Sequence, residues 1–284
     1  MSQSNFFGHL VRSPLTIARD RAMRPPLKAA LGAIFRTLTA DAQAAVEAER
    51  TVWALAERAQ SEREVERAAF EVLTSEFGMT GQLRSHLEER ARVIVGQVSR
   101  WHPGGRLLDF GCGDGLIGQA LAGSCDVTLF DIVDYRDRGI DLPFLQGREG
   151  DPLTVTEGFD TVLLLTVLHH SNDPLSVLRE VRRLCTGRVI VIESVFGVSS
   201  RTGWNEPTHG YLALSEREQC DFNTFFDWFY NRVLHQDVPV PLNFQRPYDW
   251  ITVFRGAGFE VLGFEHLGVD QVLVPEFHVL YWLA

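Results

Sequence analysis

Leu107-Leu108-Asp109-Phe110-Gly111-Cys112-Gly113-Asp114-Gly115 joins an apolar run to a segment of helical composition, Leu116–Leu121. Glycines after a strand and before a helix let the backbone pass close to a bound nucleotide, and a carboxylate at the end of the next strand can grip its ribose. Asp131 supplies that carboxylate, in the second apolar run. Glycine run, flanking elements and placed acid together form a specific signal; a bare glycine run would not. A dinucleotide fingerprint would need glycine at position 116, where Leu116 stands, so NAD and FAD are disfavoured.

Outward from this loop, short apolar runs alternate with helical segments. The runs are Leu107–Phe110, Val127–Ile132, Phe159–Val167, Val189–Val195, Val261–Leu267 and Val279–Leu283. Continuously apolar strands spaced by helices predict an α/β fold, a doubly wound and mostly parallel sheet of Rossmann-like topology covered on both faces. After the third run, Asp173 is an apt helix cap and Pro174 an apt first residue, with Leu175, Leu178, Val181 and Leu184 on one face. Upstream, residues 40–73 contain neither Gly nor Pro and have helical composition, and Gln82–Trp101 predicts a further helix that Pro103-Gly104-Gly105 must end. Between Phe196 and Arg246 lies a segment the alternation does not require. There Ser215 and Glu218 form a capping-box pattern ahead of Phe222, Phe225, Phe226, Phe229 and Val233 at helical spacing, and Val238-Pro239-Val240-Pro241 must be extended. The expected organisation is an N-terminal helical extension over residues 1–81 and a nucleotide-binding domain over 82–284. That domain carries a helical lid inserted after the fifth strand, at about residues 197–246.

Asp109, Gly111, Gly113 and Gly115 match the acidic-x-G-x-G-x-G motif of the class I S-adenosylmethionine-dependent methyltransferases, which this sequence resembles over roughly residues 82–196 and 247–284. Phe159–Leu163 through His169-His170 looks like that family's fourth strand and the loop passing near the reacting methyl. Leu178–Cys185 with Arg188–Glu193 resembles its next helix and fifth strand, and Arg255–Phe259 its late helix end. The resemblance implies S-adenosyl-L-methionine as cofactor. Asp109 would help hold its amino acid end, the Gly111–Gly115 loop with Cys112 and Asp114 would pass beneath it, and Asp131 with Ile132 would meet the ribose side. Leu165 and Thr166 would lie beside it at the strand end. Relatives often carry Gly-Asp for the adenine where this chain reads Gly147-Arg148-Glu149, so Arg148 is expected over an adenine face and Glu149 or a backbone carbonyl as hydrogen-bond acceptor, a solvated loop being the alternative.

Methyl transfer from a sulfonium is an in-line displacement that needs alignment and a dry pocket, plus a base only if the acceptor is protonated. His169 and His170 stand where such a base could act, and because adjacent side chains point opposite ways only one is expected to face the pocket. His170, nearer the helix entry, is the expected catalytic residue. The alternative is a loop histidine bonded to backbone. Glu193, near a strand's carboxyl end, and His209, Tyr211 and Tyr230 in the insertion are candidate acceptor contacts. A metal site from Glu193, Asp227, His209 or His235 lacks any tight ligand spacing, so no metal is expected.

The 284 residues carry a net charge of −10 from 27 basic and 37 acidic side chains, which disfavours polyanion binding by the whole surface and makes nucleic acid an unexpected partner. Residues 1–40 invert the balance, with Arg12, Arg19, Arg21, Arg24, Lys28 and Arg36 against Asp20. This is read as a solvated face, the alternatives being an anionic substrate, a partner, or a membrane surface met by Ala29–Phe35. Cys112, Cys125, Cys185 and Cys220 show no paired spacing and are read as reduced thiols. With no secretion signal or membrane span legible, the cytoplasm is the expected compartment. The predicted function is methyl transfer to a small-molecule acceptor, an aromatic or amphiphilic metabolite, by a chain that could act as a homodimer. The alternatives are a same-fold enzyme using the cofactor without net methylation, and a non-catalytic interaction protein of nucleotide-binding fold.

Overall fold

Strands β1 (Ser2–Ser4) and β2 (Leu10–Arg12) open the computed structural model as an antiparallel pair. The structure describes residues 2–102, 104–155, 157–199, 210–235 and 238–284. Helices α1 (Pro14–Ala18), α2 (Arg24–Leu38), α3 (Ala42–Arg58), α4 (Glu62–Ser75) and α5 (Thr80–Val98) follow. Next come β3 (Arg106–Phe110), α6 (Leu116–Leu121), β4 (Asp126–Asp131), β5 (Phe144–Gln146), β6 (Phe159–Leu165), α7 (Pro174–Leu184) and β7 (Cys185–Val195). The chain ends through α8 (Glu216–Trp228), α9 (Pro247–Gly256), β8 (Val261–Gln271) and β9 (Val274–Leu283). It divides into two compact units, one of Met1–His86, Ser194–Arg246 and Gly268–Phe277, the other of Leu87–Glu193, Pro247–Leu267 and His278–Ala284.

In the first unit the helical tract expected over 40–73 is two helices, interrupted without Gly or Pro. Arg19 and Ser61 mark the break. The Arg19 guanidinium donates to the carbonyls of Ala56 and Ala59, taking up acceptors at the end of α3, while Ser61 caps α4 by accepting from the Glu64 amide at 3.3 Å. In α2, Leu27, Ala30, Leu31, Ile34, Phe35 and Leu38 are buried, so the large apolar side chains of Ala29–Phe35 belong to the core and do not form a membrane-facing surface. Much of the basic N-terminal cluster is internally paired. Arg12 grips Asp221 (2.6 Å) and Asp20 (2.6 Å), Arg24 meets Glu57, and Lys28 lies 3.5 Å from Glu49. The capping box of Ser215 and Glu218 starts α8 as predicted, and Phe222, Phe225, Phe226 and Phe229 are fully buried. Beyond Trp228 the helix loosens into a π-helical turn, Phe229–Leu234, where the Asn231 amide donates to the Asp227 carbonyl at 3.0 Å.

The strands form a seven-stranded sheet in the order β5-β4-β3-β6-β7-β9-β8. β4, β3, β6, β7 and β5 pair in parallel, and beyond the β8 and β9 ends Glu260 and Ala284 exchange backbone hydrogen bonds, as an antiparallel pair does. Ile94 and Val98 of α5 belong to the core cluster that includes Leu107, Val127, Leu129, Leu163, Ile190 and Ile192, near-continuous apolar runs of the kind a sheet covered on both faces needs. The third expected run stops at Leu165, two residues early, because Thr166 turns left-handed (φ 59°). Asp173 caps α7 as predicted, its Oδ1 accepting from the Ser176 amide at 3.0 Å, with Pro174 in the first turn. Among the described residues no helix is long and apolar enough to cross a membrane.

Candidate active site

Asp109, Asp131, Leu165 and Glu193 stand at or near the carboxyl ends of β3, β4, β6 and β7, neighbouring parallel strands, where sites form in open α/β sheets. The loop between β3 and α6 turns through Gly111, Gly113 and Gly115, each with positive φ (76°, 53° and 77°). Gly111 is needed for a second reason: a Cβ there would lie 2.6 Å from Val167 Cγ2. Above Gly113 a Cβ would meet no atom within 4 Å, so this side of the loop is open. Cys112 is buried, and burial pushes its thiol up out of the reactive range. Asp114 fastens the loop, its Oδ1 accepting from the Leu116 amide at 3.0 Å. Burial raises its carboxyl, opposed by that amide and by Arg90.

Asp131 Oδ2 accepts from the Gly113 amide at 2.9 Å and Oδ1 from the Ile132 amide at 2.7 Å, tying the second acid to the glycine loop. Burial raises this carboxyl and the backbone amides oppose the rise. Ile132 beside it is exposed. Asp109 is buried and its Oδ2 has no hydrogen-bond partner among the described residues. Burial, with Asp114 and Asp131 adding like charge, pushes its carboxyl up to about 7, and the Gly118 backbone offsets this only in part. An unsatisfied buried carboxylate oxygen, an open glycine loop and an amide-oriented second acid suit a ligand with an ammonium at one end and a diol further along, which is what S-adenosylmethionine presents.

The loop after β6 is held with unusual thoroughness. Thr166, a β-branched residue at φ 59°, donates its hydroxyl to the Leu165 carbonyl (2.6 Å) and its amide to the Ile192 carbonyl (2.7 Å). Glu193, fully buried, accepts on Oε1 from the amides of Val167 (3.0 Å) and Leu168 (2.7 Å), and its Oε2 lies 2.6 Å from His169 Nδ1. That bond puts the Nδ1 proton of neutral His169 toward the carboxylate. His169 is buried, whereas His170 is half-buried, its ring tilted against that of His169 at 4.2 Å. The two side chains do not point opposite ways as expected; their rings lie together, His170 being the more exposed. Glu149, at the position compared with the adenine contact, turns its carboxylate to Ser171 Oγ (2.6 Å), the Asn172 amide (2.5 Å), Asn172 Nδ2 (2.7 Å) and the Asp173 amide (3.2 Å). Arg148 is exposed and accepts on its carbonyl from the Asp151 amide at 3.1 Å.

The insertion's candidates fall differently. Tyr211 is buried and its hydroxyl donates to the Val195 carbonyl at 2.9 Å, alongside the Asn223 amide at 3.0 Å, within its own unit. Tyr230 is half-buried in the π-helical turn, 4.7 Å from the His235 ring. His209 lies outside the described residues. The loop-fastening use of Glu149 and Glu193 had no signal in the sequence beyond two acids near strand ends.

Residues 83–263 match the family model described as a Methyltransferase domain. No curated protein matches the chain. Among solved structures, the chain is similar to the [4+2]-cyclase SpnF, at 13% identity over 79% of this chain and 96% of that one, with a TM-score of 0.47. It is also similar to human N-acetylserotonin methyltransferase in complex with SAM, at 18% identity over 75% of this chain and 58% of that one, TM-score 0.42. A third similarity is to an S-adenosylmethionine-dependent methyltransferase from Mesorhizobium loti, at 16% identity over 63% and 90%, TM-score 0.44. None of these three bears on the acceptor.

Proposed function

Because the chain belongs to the class I S-adenosylmethionine-dependent methyltransferases, its Methyltransferase domain spanning residues 83–263, we propose that it transfers the methyl group of S-adenosylmethionine to a small-molecule acceptor. The observation that carries the reading is the pairing of Asp109, buried with an unsatisfied oxygen, with Asp131, whose carboxylate is oriented by the glycine-loop amides. When bound, S-adenosylmethionine supplies a methyl group on a sulfonium centre. Asp109 holds the ligand's ammonium, Asp131 its ribose hydroxyls, and the Gly111–Gly115 loop lets the backbone approach. Cys112 and Asp114 act as supports of that loop, while Leu165 and Thr166 line its neighbour.

His170 is the base where the acceptor must lose a proton, because it is the half-buried member of the pair, while the buried His169 has Nδ1 turned to Glu193. The acceptor we favour is an aromatic or amphiphilic metabolite. The net charge of −10 weighs against a nucleic acid.

Incubating the protein with methyl-labelled S-adenosylmethionine and metabolite pools, then measuring mass, tests this. An acceptor gaining one methyl in step with demethylated cofactor is expected. Acceptor conversion without methyl gain would indicate a same-fold reaction of another kind, and failure to bind the cofactor would sink the reading.

A further inference from the structure

The loop that carries His170 is fastened at both ends by carboxylates from different parts of the chain. On one side Glu193, from β7, takes the amides of Val167 and Leu168 and the ring of His169. On the other, Glu149, from the connection between β5 and β6, takes Ser171, Asn172 and Asp173. His170 is the one residue between these two sets. Its amide donates to the Val167 carbonyl at 3.0 Å, and its ring leans on the ring that Glu193 holds.

Building on the reading of His170 as the base, we propose that Glu149 is a positioning residue that fixes the His170 imidazole by clamping residues 171–173. It is not the acceptor of an adenine hydrogen bond. The geometry favours the first role: Oε1 receives Ser171 Oγ and the amides of Asn172 and Asp173, and Oε2 receives Asn172 Nδ2, so every donor on this carboxylate comes from residues 171–173. Burial alone would push this carboxyl up, yet the hydrogen bonds from Ser171, Asn172 and Asp173 outweigh it and hold the group below the ordinary glutamate range, so the clamp is a charged one at neutral pH. Because Glu149 directly follows Arg148 in the connection beyond β5, the segment compared with the adenine contact and the His170 loop are parts of one bonded assembly. The neutral amide in Glu149→Gln keeps an oxygen for the three donors at Oε1, and rotation of the Asn172 amide presents an acceptor to its nitrogen. Glu149→Ala removes the clamp altogether.

The test uses the full chain with histidine imidazoles labelled and S-adenosylhomocysteine as the probe ligand. In the unaltered protein the ring of His169 should displace the His170 imidazole proton signals from their free positions. Glu149→Ala should collapse that displacement toward free histidine while leaving the His169 Nδ1 bond to Glu193 intact and the affinity for S-adenosylhomocysteine within about threefold, and Glu149→Gln should restore it. Unmoved His170 signals in Glu149→Ala would overturn the proposal, as would a tenfold or greater loss of ligand affinity in Glu149→Ala, which would return Glu149 to the adenine. If the clamp behaves as described but His170→Ala transfers methyl at an unchanged rate, the base assignment fails and the positioning stands.

Discussion

On the proposed reading, Asp109 presents to the cofactor's ammonium a carboxyl that burial pushes up to about 7. Ionised, it attracts that group; protonated, it does not. Affinity for S-adenosylmethionine should therefore fall as pH drops from 8 to 6, with about one proton released per ligand bound near pH 6, which calorimetry in two buffers of different ionisation enthalpy would read. The ligand-free protein should respond in the opposite sense. A carboxyl raised from 3.8 to about 7 means that the folded chain holds a proton the unfolded chain has lost, so its contribution to stability grows as pH falls from about 7 toward 4 and is lost on the way back up. Asp109→Asn should accordingly stabilise the ligand-free protein at pH 8, by up to about 4 kcal/mol on the scale of 1.4 kcal/mol per pKa unit, while weakening cofactor binding. Denaturation midpoints at pH 6 and 8 for both proteins check the sign. For a hydroxyl or protonated amine acceptor, His170→Ala should slow single-turnover methyl transfer by roughly 10²–10⁴-fold and remove the rising limb of the pH profile near neutrality. A profile unchanged from the parent would leave alignment as the whole of the catalysis. Gly111→Ala combines a left-handed backbone with a Cβ driven into Val167, and a loss of about 1–3 kcal/mol in a denaturant titration is the expected result.

Elements made their own predictions, and the cap of α7 is the simplest. Asp173→Ala removes the acceptor for the Ser176 amide and should cost about 1 kcal/mol, seen as a shifted unfolding midpoint with unchanged slope. The insertion, if it acts as a lid, should show amide exchange slowing over residues 210–235 only when cofactor and acceptor are both present, and slowing confined to the sheet would refute that role. What the sequence disclosed about these elements follows from which signals are local. Asp173-Pro174 and Ser215 with Glu218 are self-contained caps, so both helix starts were legible. So were the strands rich in consecutive Leu, Ile and Val, such as Leu107–Phe110. The division of residues 40–73 has a local mark, Ser61 and Glu64 spaced as Ser215 and Glu218 are, and a distant support that no local pattern encodes, Arg19 at the carbonyls that close α3. β5, at three residues, is too short for a pattern to register. At the site, Asp109, Asp131 and the glycines could be read from spacing. The left-handed Thr166 and the loop-holding by Glu149 and Glu193 are set by partners from other elements, which no local pattern encodes.

For the molecule entire, ligand linkage gives the broadest check. S-adenosylhomocysteine at 100 times its dissociation constant should raise the unfolding free energy by about 2.7 kcal/mol, with NAD at the same concentration raising it by nothing measurable. The sheet order carries a further consequence, for how the sheet closes. β9 lies between β7 and β8, yet it is the last strand of this sequence. Without residues 274–283, β7 has β6 on one side and an open row of peptide groups on the other, and β8 has lost its neighbour in the sheet. Such an edge invites association with other chains, and its closure waits on contacts far apart in sequence. A chain truncated before residue 274 should therefore bind holdase chaperones and stay open to proteases, whereas the chain that includes β9 should resist them.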